Sequence, residues 1–204
     1  MLRSFVAVLA VLALSSCSSL SVKEPTYQRQ TFTDIRASTV QVTTSEGGCS
    51  GVVISPIKVL TAAHCDGPEL KVDGQPAVVV KKNDKADLML LITITDKPAM
   101  DVAAARPEVD EVLALSGYPL GMGLVITQGR LQELLVAELP HHMLVSTPGV
   151  FGNSGGPCVV FNYETRRYEV VGIASMVAMV GWGAPVTHLL LVVNTETIRE
   201  FLAP

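Results

Sequence analysis

The 204-residue sequence predicts an all-β protein: two antiparallel barrels in succession, closed by one short C-terminal helix. Three observations predict it. Strand-like apolar runs recur every eight to twelve residues, Gly, Pro, Asp and Asn stand between them, and only the last stretch has helical periodicity. The first set of runs is STVQVT, GVVIS, KVLTA, ELKV, AVVVKK and LMLLITI, giving a barrel over about residues 37–100. A turn-rich break, DKPAMDVAAARPEVDE (96–111), separates them from EVLALSG, GLVITQG, RLQELLVAEL, HMLVS, GPCVVFN, RYEVVGIAS and HLLLVV. These give a second barrel over about 108–204. The segment NTETIREFLAP is helical, with Asn194 or Thr195 as cap and Ile198, Phe201 and Leu202 on one face. The long uncharged run from Val170 to Val193 is broken by Gly172, Gly181, Gly183 and Pro185, so it reads as two strands joined by a glycine-rich loop rather than a membrane span.

With 49% hydrophobic and 17% charged residues, the chain can bury sizeable cores and is no disordered tail. Net charge is −4 and Lys and Arg do not cluster, so no nucleic-acid partner is expected. The N-terminus has Arg3 ahead of an apolar run, Phe5–Leu14, too short to span a bilayer, then Ser15, Ser16 and Cys17. This is a secretory signal over residues 1–16, and LSSC resembles the bacterial lipobox. The resemblance implies cleavage before Cys17, lipidation of its thiol and acylation of its amino group, with several chains giving stable anchoring. Ser18 in place of Asp implies sorting to the outer membrane, facing the periplasm. Residues 17–36 are polar and unpatterned and read as a lipidated tether to a domain at 37–204. In that oxidising compartment Cys49 and Cys65, sixteen residues apart across a strand–turn–strand pattern, are expected to pair, leaving Cys158 as a small buried hydrophobe.

Three stretches carry chemistry. LTAAHCDG sets His64 just after an apolar strand, NDKADLMLLITI sets Asp87 at the mouth of another, and FGNSGGPC sets Ser154 among glycines. Asp84 and Asp101 compete with Asp87, but one lies in a charged turn and the other in the break between the barrels. The order His, Asp, Ser, with TAAHC and GNSGGP, resembles the chymotrypsin-like (trypsin-fold) serine proteases, nearest to their bacterial HtrA-type and glutamyl-endopeptidase-type branches. Further echoes are CSGVVIS, ALSGYPLG and VVGIAS, and the resemblance runs from about Ser38 to Leu202. It implies two six-stranded barrels with the site in the cleft between them, and no cofactor. It also implies Ser154 as nucleophile, His64 as general base then acid, and Asp87 as the carboxylate that orients the ring. The N–H groups of Gly152 and Ser154 form the implied oxyanion hole, and Asn153 holds the loop by a local hydrogen bond. No PDZ module is expected, and no activation by a freed N-terminus is expected, since Asn153 stands where the digestive members have aspartate.

By the same layout Pro148, Gly149, Ser175 and Val177 line the pocket for the residue cleaved after, together with the loop near Gly183–Pro185. None is acidic, so Lys or Arg is not expected there, and Val177 narrows the entrance in favour of Ala or Val. His141, His142 and His188 show no metal-ligand pattern and are expected on the surface or barrel wall, so no metal is expected. The expected activity is a membrane-anchored serine endopeptidase acting on envelope proteins or peptides through an acyl-enzyme. Two alternatives stand beside it: a catalytically silent protease-fold lipoprotein that binds a partner in its cleft, and an esterase using the same three residues.

Overall fold

The computed structural model describes residues 28–180 and 183–204. The signal segment 1–16 and Cys17 lie outside the described residues. Thirteen strands follow a first helix. They are β1 (Thr39–Thr43), β2 (Gly48–Ser55), β3 (Lys58–Thr61), β4 (Lys71–Val72), β5 (Gln75–Pro76), β6 (Val78–Asn83) and β7 (Leu88–Ile92), then β8 (Val112–Gly117), β9 (Val125–Glu133), β10 (His142–Val145), β11 (Pro157–Asn162), β12 (Arg167–Val180) and β13 (Ala184–Val193). The helices are α1 (Gln28–Ser38) and α2 (Thr195–Leu202).

All pairings between these strands are antiparallel. The second half closes as expected into a six-stranded barrel, in the order β10-β13-β12-β11-β8-β9. The first half departs from expectation. It is a seven-stranded sheet, β5-β4-β1-β2-β3-β7-β6, whose edge strands do not pair with each other. The extra strand comes from the Asp73-Gly74 turn, where both residues have positive φ (46° and 81°) and fold β4 back onto β5. That is the conformation a tight two-residue hairpin favours. In the second half GLVITQG and RLQE, expected as separate strands, run on as β9.

Strand β7 and the middle of β12 are apolar on both faces because both faces are covered. Along β7, Leu88 and Leu90 pack into a cluster that also holds Val159, Ile173 and Ile198, which joins the two halves. The alternate residues Met89 and Leu91 fill the first sheet's own core with Val40, Val42 and Val59. In β12, Val170 and Ile173 face the shared cluster, whereas Val171 and Ala174 line the second barrel beside Leu131 and Met143. Each such side chain removed from water contributes about 1.5–3 kcal/mol before entropy is counted.

Residues 28–36, expected within the polar tether, instead belong to α1. Ile35 is fully buried in the shared cluster and Phe32 stacks on Tyr168 at 6.2 Å, so two apolar residues one turn apart dock an otherwise polar helix. At the other end Asn194 caps α2, its side chain accepting from the Thr197 N–H at 3.0 Å, and Ile198 and Phe201 bury one face. Among the described residues, no helix is long and apolar enough to cross a membrane.

Candidate active site

His64 sits in a single 3₁₀ turn, Ala63–Cys65, directly after β3. The turn is tied to β2 by the Cys49–Cys65 disulfide, with sulfurs 2.04 Å apart. In the chain-entropy account, closing a loop of this length stabilises by about 3 kcal/mol. Asp87 is delivered by the turn before β7, where the Asn83 side chain accepts from the N–H groups of Lys85 and Ala86 at 3.1 Å each. Asp87 itself is held at φ 55°, a left-handed conformation that aspartate tolerates better than most residues and that recurs at functional sites.

The two side chains meet. Asp87 Oδ2 lies 2.9 Å from His64 Nδ1, and Oδ1 accepts from the His64 backbone N–H at 3.0 Å. The Ser175 hydroxyl, at the start of the long extension of β12, donates to Oδ2 at 2.5 Å. Burial pushes the Asp87 carboxyl upward, but hydrogen bonds from His64 and Ser175, with the charge of the ring, outweigh it and hold the group below its ordinary value. The carboxylate side chain is 16% exposed and the imidazole 48%, so the ring bridges a protected anion and an open cleft.

Ser154 lies on the loop before β11, and Ser50 of the first sheet shapes that loop. Ser50 on β2 donates from its N–H to the Ser154 carbonyl and from its hydroxyl to the Gly152 carbonyl, both at 2.7 Å. The same hydroxyl accepts from the Tyr118 N–H at 2.8 Å. The Phe151 carbonyl accepts from the Leu120 N–H at 2.8 Å. In a trans peptide this turns the Gly152 N–H the opposite way, and no hydrogen bond takes up the N–H of Gly152 or Ser154 among the described residues. Gly152 has φ 94°, and a Cβ there would sit 2.4 Å from the Tyr118 carbonyl oxygen. Gly155, at φ 80°, passes so close to β2 and β3 that a Cβ would meet the Ser50 carbonyl oxygen at 2.2 Å. These two positions require glycine on both counts. Asn153 holds the loop as expected, its side-chain oxygen accepting from the Val150 N–H at 3.2 Å.

The Ser154 hydroxyl lies 3.5 Å from the Ser175 carbonyl oxygen, at the outer limit of a hydrogen bond. Among the described residues it makes no hydrogen bond to His64. The structure thus joins His64, Asp87 and Ser175 in one network and sets Ser154 beside it. Such nucleophile–base contacts commonly tighten only in the substrate complex.

Pro148, Gly149, Ser175 and Val177 fall on two neighbouring segments. The Pro148 carbonyl accepts from Thr127 Oγ1 at 3.1 Å, and the Gly149 N–H donates to the Thr187 carbonyl at 2.7 Å. Ser175 serves Asp87 with its hydroxyl, a role in addition to lining a pocket. Leu190 fills the space beside Gly149: its Cδ1 would lie 2.8 Å from a Cβ added there, and it is the register partner of Val177. Its side chain is buried with the second barrel's core. Against the His64–Asp87 pair lies an open pocket of about 500 Å³, lined also by Ala63, Asp66, Pro68, Lys82 and Asp84. There Lys82 pairs with Asp66 at 3.0 Å and Asp84 at 3.3 Å, which accounts for Asp84.

Cys49, Cys65 and His64 cluster within 4.8 Å, but both sulfurs are spent in the disulfide and offer no thiolate to a metal. Cys158 is fully buried, which pushes its thiol up to about 12 and leaves it inert near neutral pH. Sequence reasoning missed Ser50, Leu120 and the contacts of His142. A serine on a buried strand, a leucine at φ 53° and a histidine in a barrel wall carry no local signature of function.

Two barrel-like halves with a His–Asp pair at their junction define the class: a trypsin-fold hydrolase site. Residues 49–173, more than half the chain, match the trypsin-like peptidase domain, and the chain belongs to that family of serine endopeptidases. No curated protein matches it in sequence. Among solved structures it is similar to the active form of the Rv3671c protease from M. tuberculosis, at 20% identity over 99% of this chain and 93% of that one, with a TM-score of 0.71. It is similar to the inactive form of that protease at 21% identity, covering 83% and 89%, TM-score 0.68. The serine endoprotease from Yersinia pestis aligns at 20% identity over 87% of this chain and 66% of that one, TM-score 0.70.

Proposed function

We propose that the protein hydrolyses peptide bonds through an acyl-enzyme on Ser154, with His64 as general base and then acid and Asp87 as the orienting carboxylate. The observation that carries this is the 2.9 Å bond from His64 Nδ1 to Asp87 Oδ2. An ionised carboxylate only accepts, so Nδ1 carries the proton, and Nε2 is left with a lone pair for the cleft. His64 takes the Ser154 proton as the hydroxyl attacks the scissile carbonyl, then gives it to the leaving amine. The N–H groups of Gly152 and Ser154 receive the developing oxyanion, each such donor being worth about 2.7–4 kcal/mol of transition-state stabilisation. Labelling the full chain with a fluorophosphonate and mapping the adduct tests the reading. An adduct on Ser154 with casein cleavage is expected. Ester hydrolysis without peptide cleavage would favour the esterase alternative, and no adduct would favour a silent binding protein.

The filled space beside Gly149 supports a shallow primary pocket and cleavage after Ala or Val. Leu190→Ala is expected to shift the preferred residue to Leu or Met in a peptide library, at a core-packing cost of about 2–5 kcal/mol. A wild type cutting mainly after Arg, Glu or Phe overturns the assignment. We further propose that a lipid on Cys17 holds the enzyme at the envelope, a reading supported by the LSSC motif and the preceding apolar run. Metabolic labelling with palmitate is expected in the wild type and absent in Cys17→Ser.

A further inference from the structure

We propose that His142 is a positioning residue for catalysis, acting on Asp87 through the Ser175 hydroxyl. This rests on the proteolytic reading above. His142 opens β10 on the second barrel, is 3% exposed, and sets Nε2 3.2 Å from Ser175 Oγ. The direction of this contact follows from proton counting. Ser175 has one hydroxyl proton, and at 2.5 Å from Asp87 Oδ2 that proton is donated to the carboxylate. Toward His142 the same oxygen can only accept, so His142 carries its proton on Nε2. Its Nδ1 then holds a bare lone pair, in keeping with its being the one buried side-chain polar atom without a partner among the described residues.

The result is a directed chain. His142 Nε2–H donates to Ser175 Oγ, whose O–H donates to Asp87 Oδ2, which accepts in turn from His64 Nδ1–H. Accepting from His142 polarises the Ser175 hydroxyl and strengthens its bond to Asp87. It also removes the rotational freedom of that hydroxyl, which could otherwise turn away from the carboxylate. Burial holds the His142 ring below its ordinary value, which favours the neutral form, the Asp87 charge opposing this and the His141 ring reinforcing it. A neutral ring suits the role, since a cation would bury an Nδ1–H with nothing to receive it. His142 touches none of the reacting atoms; it acts by aiming the group that aims His64.

The placement of the donor makes this testable. Glutamine carries its side-chain nitrogen at about the reach of Nε2, whereas asparagine carries it near Nδ1 and leucine has none. In the full chain, His142→Leu and His142→Asn are expected to lower kcat and the fluorophosphonate labelling rate by roughly 3- to 10-fold with KM unchanged, as loss of one hydrogen bond predicts. His142→Gln is expected to restore most of the rate. If His142→Leu fails to fold, the Gln and Asn pair decides the matter. In a Ser175→Ala background, His142→Leu is expected to cost nothing further, since the relay is already cut. Labelling of His142→Leu or His142→Asn at the wild-type rate, equal losses in the Gln and Asn variants, or an added loss in the Ser175→Ala background overturns the proposal. An unlabelled wild type overturns the proteolytic reading, and this role with it.

Discussion

Ser154→Ala is expected to lower kcat/KM for a peptide substrate by about 10⁶-fold while leaving the fold in place, the scale on which serine hydrolases respond to loss of their nucleophile. Alanine removes the attacking oxygen but keeps the backbone that shapes the loop. The Ser154 carbonyl still accepts from Ser50, and the neighbouring glycines keep their left-handed conformations. The only described bond lost is the 3.5 Å contact to the Ser175 carbonyl, so the melting temperature should stay within a few degrees. Pre-steady-state kinetics with an activated ester in excess over enzyme should lose the burst that marks the acyl-enzyme. Retention of even one per cent of the wild-type rate would move the nucleophile elsewhere.

Asp87→Asn is expected to cost about 10⁴-fold in kcat, because an amide is not a weaker carboxylate but a different partner. Its NH₂ group, turned toward Nδ1, stabilises the tautomer with the proton on Nε2, and that nitrogen can no longer take the Ser154 proton. The loss should ease at high pH, where hydroxide can assist deprotonation. The variant also changes stability with pH. The Asp87 carboxyl is held below its ordinary value in the folded protein, so its ionised form contributes stability above the unfolded-state value, about 3.9, and that contribution disappears as pH falls through the folded value. The gap in melting temperature between wild type and Asp87→Asn should therefore narrow on acidification from neutral toward pH 3. A gap that widens instead would mean the carboxyl is destabilised by its surroundings.

The parts legible in the sequence are those whose chemistry is written in consecutive residues. TAAHC and NSGG announce themselves because a disulfide-bound turn and a glycine-lined loop each need particular neighbours, and Asp87 stands out because a strand of uninterrupted apolar residues follows it. The strand rhythm gave the second barrel almost completely. The seventh strand of the first sheet is not legible in the sequence, because β4 and β5 are two residues each, too short for any periodicity to register. Helix α1 stayed hidden for a related reason: two apolar residues, Phe32 and Ile35, dock a helix whose other positions are mostly polar. Ser50, Ser175 and His142 act through partners 33 to 102 positions away, and their roles exist only once the chain is folded.

Ser50 has one more implication. The loop that carries Ser154 belongs to the second barrel, yet two of its carbonyls hang from a residue of the first. The competent shape of that loop is thus a property of the seam and not of either half. A shift of the two halves against each other is therefore expected to disturb this loop, so that loss of reactivity with the fluorophosphonate should come no later than melting.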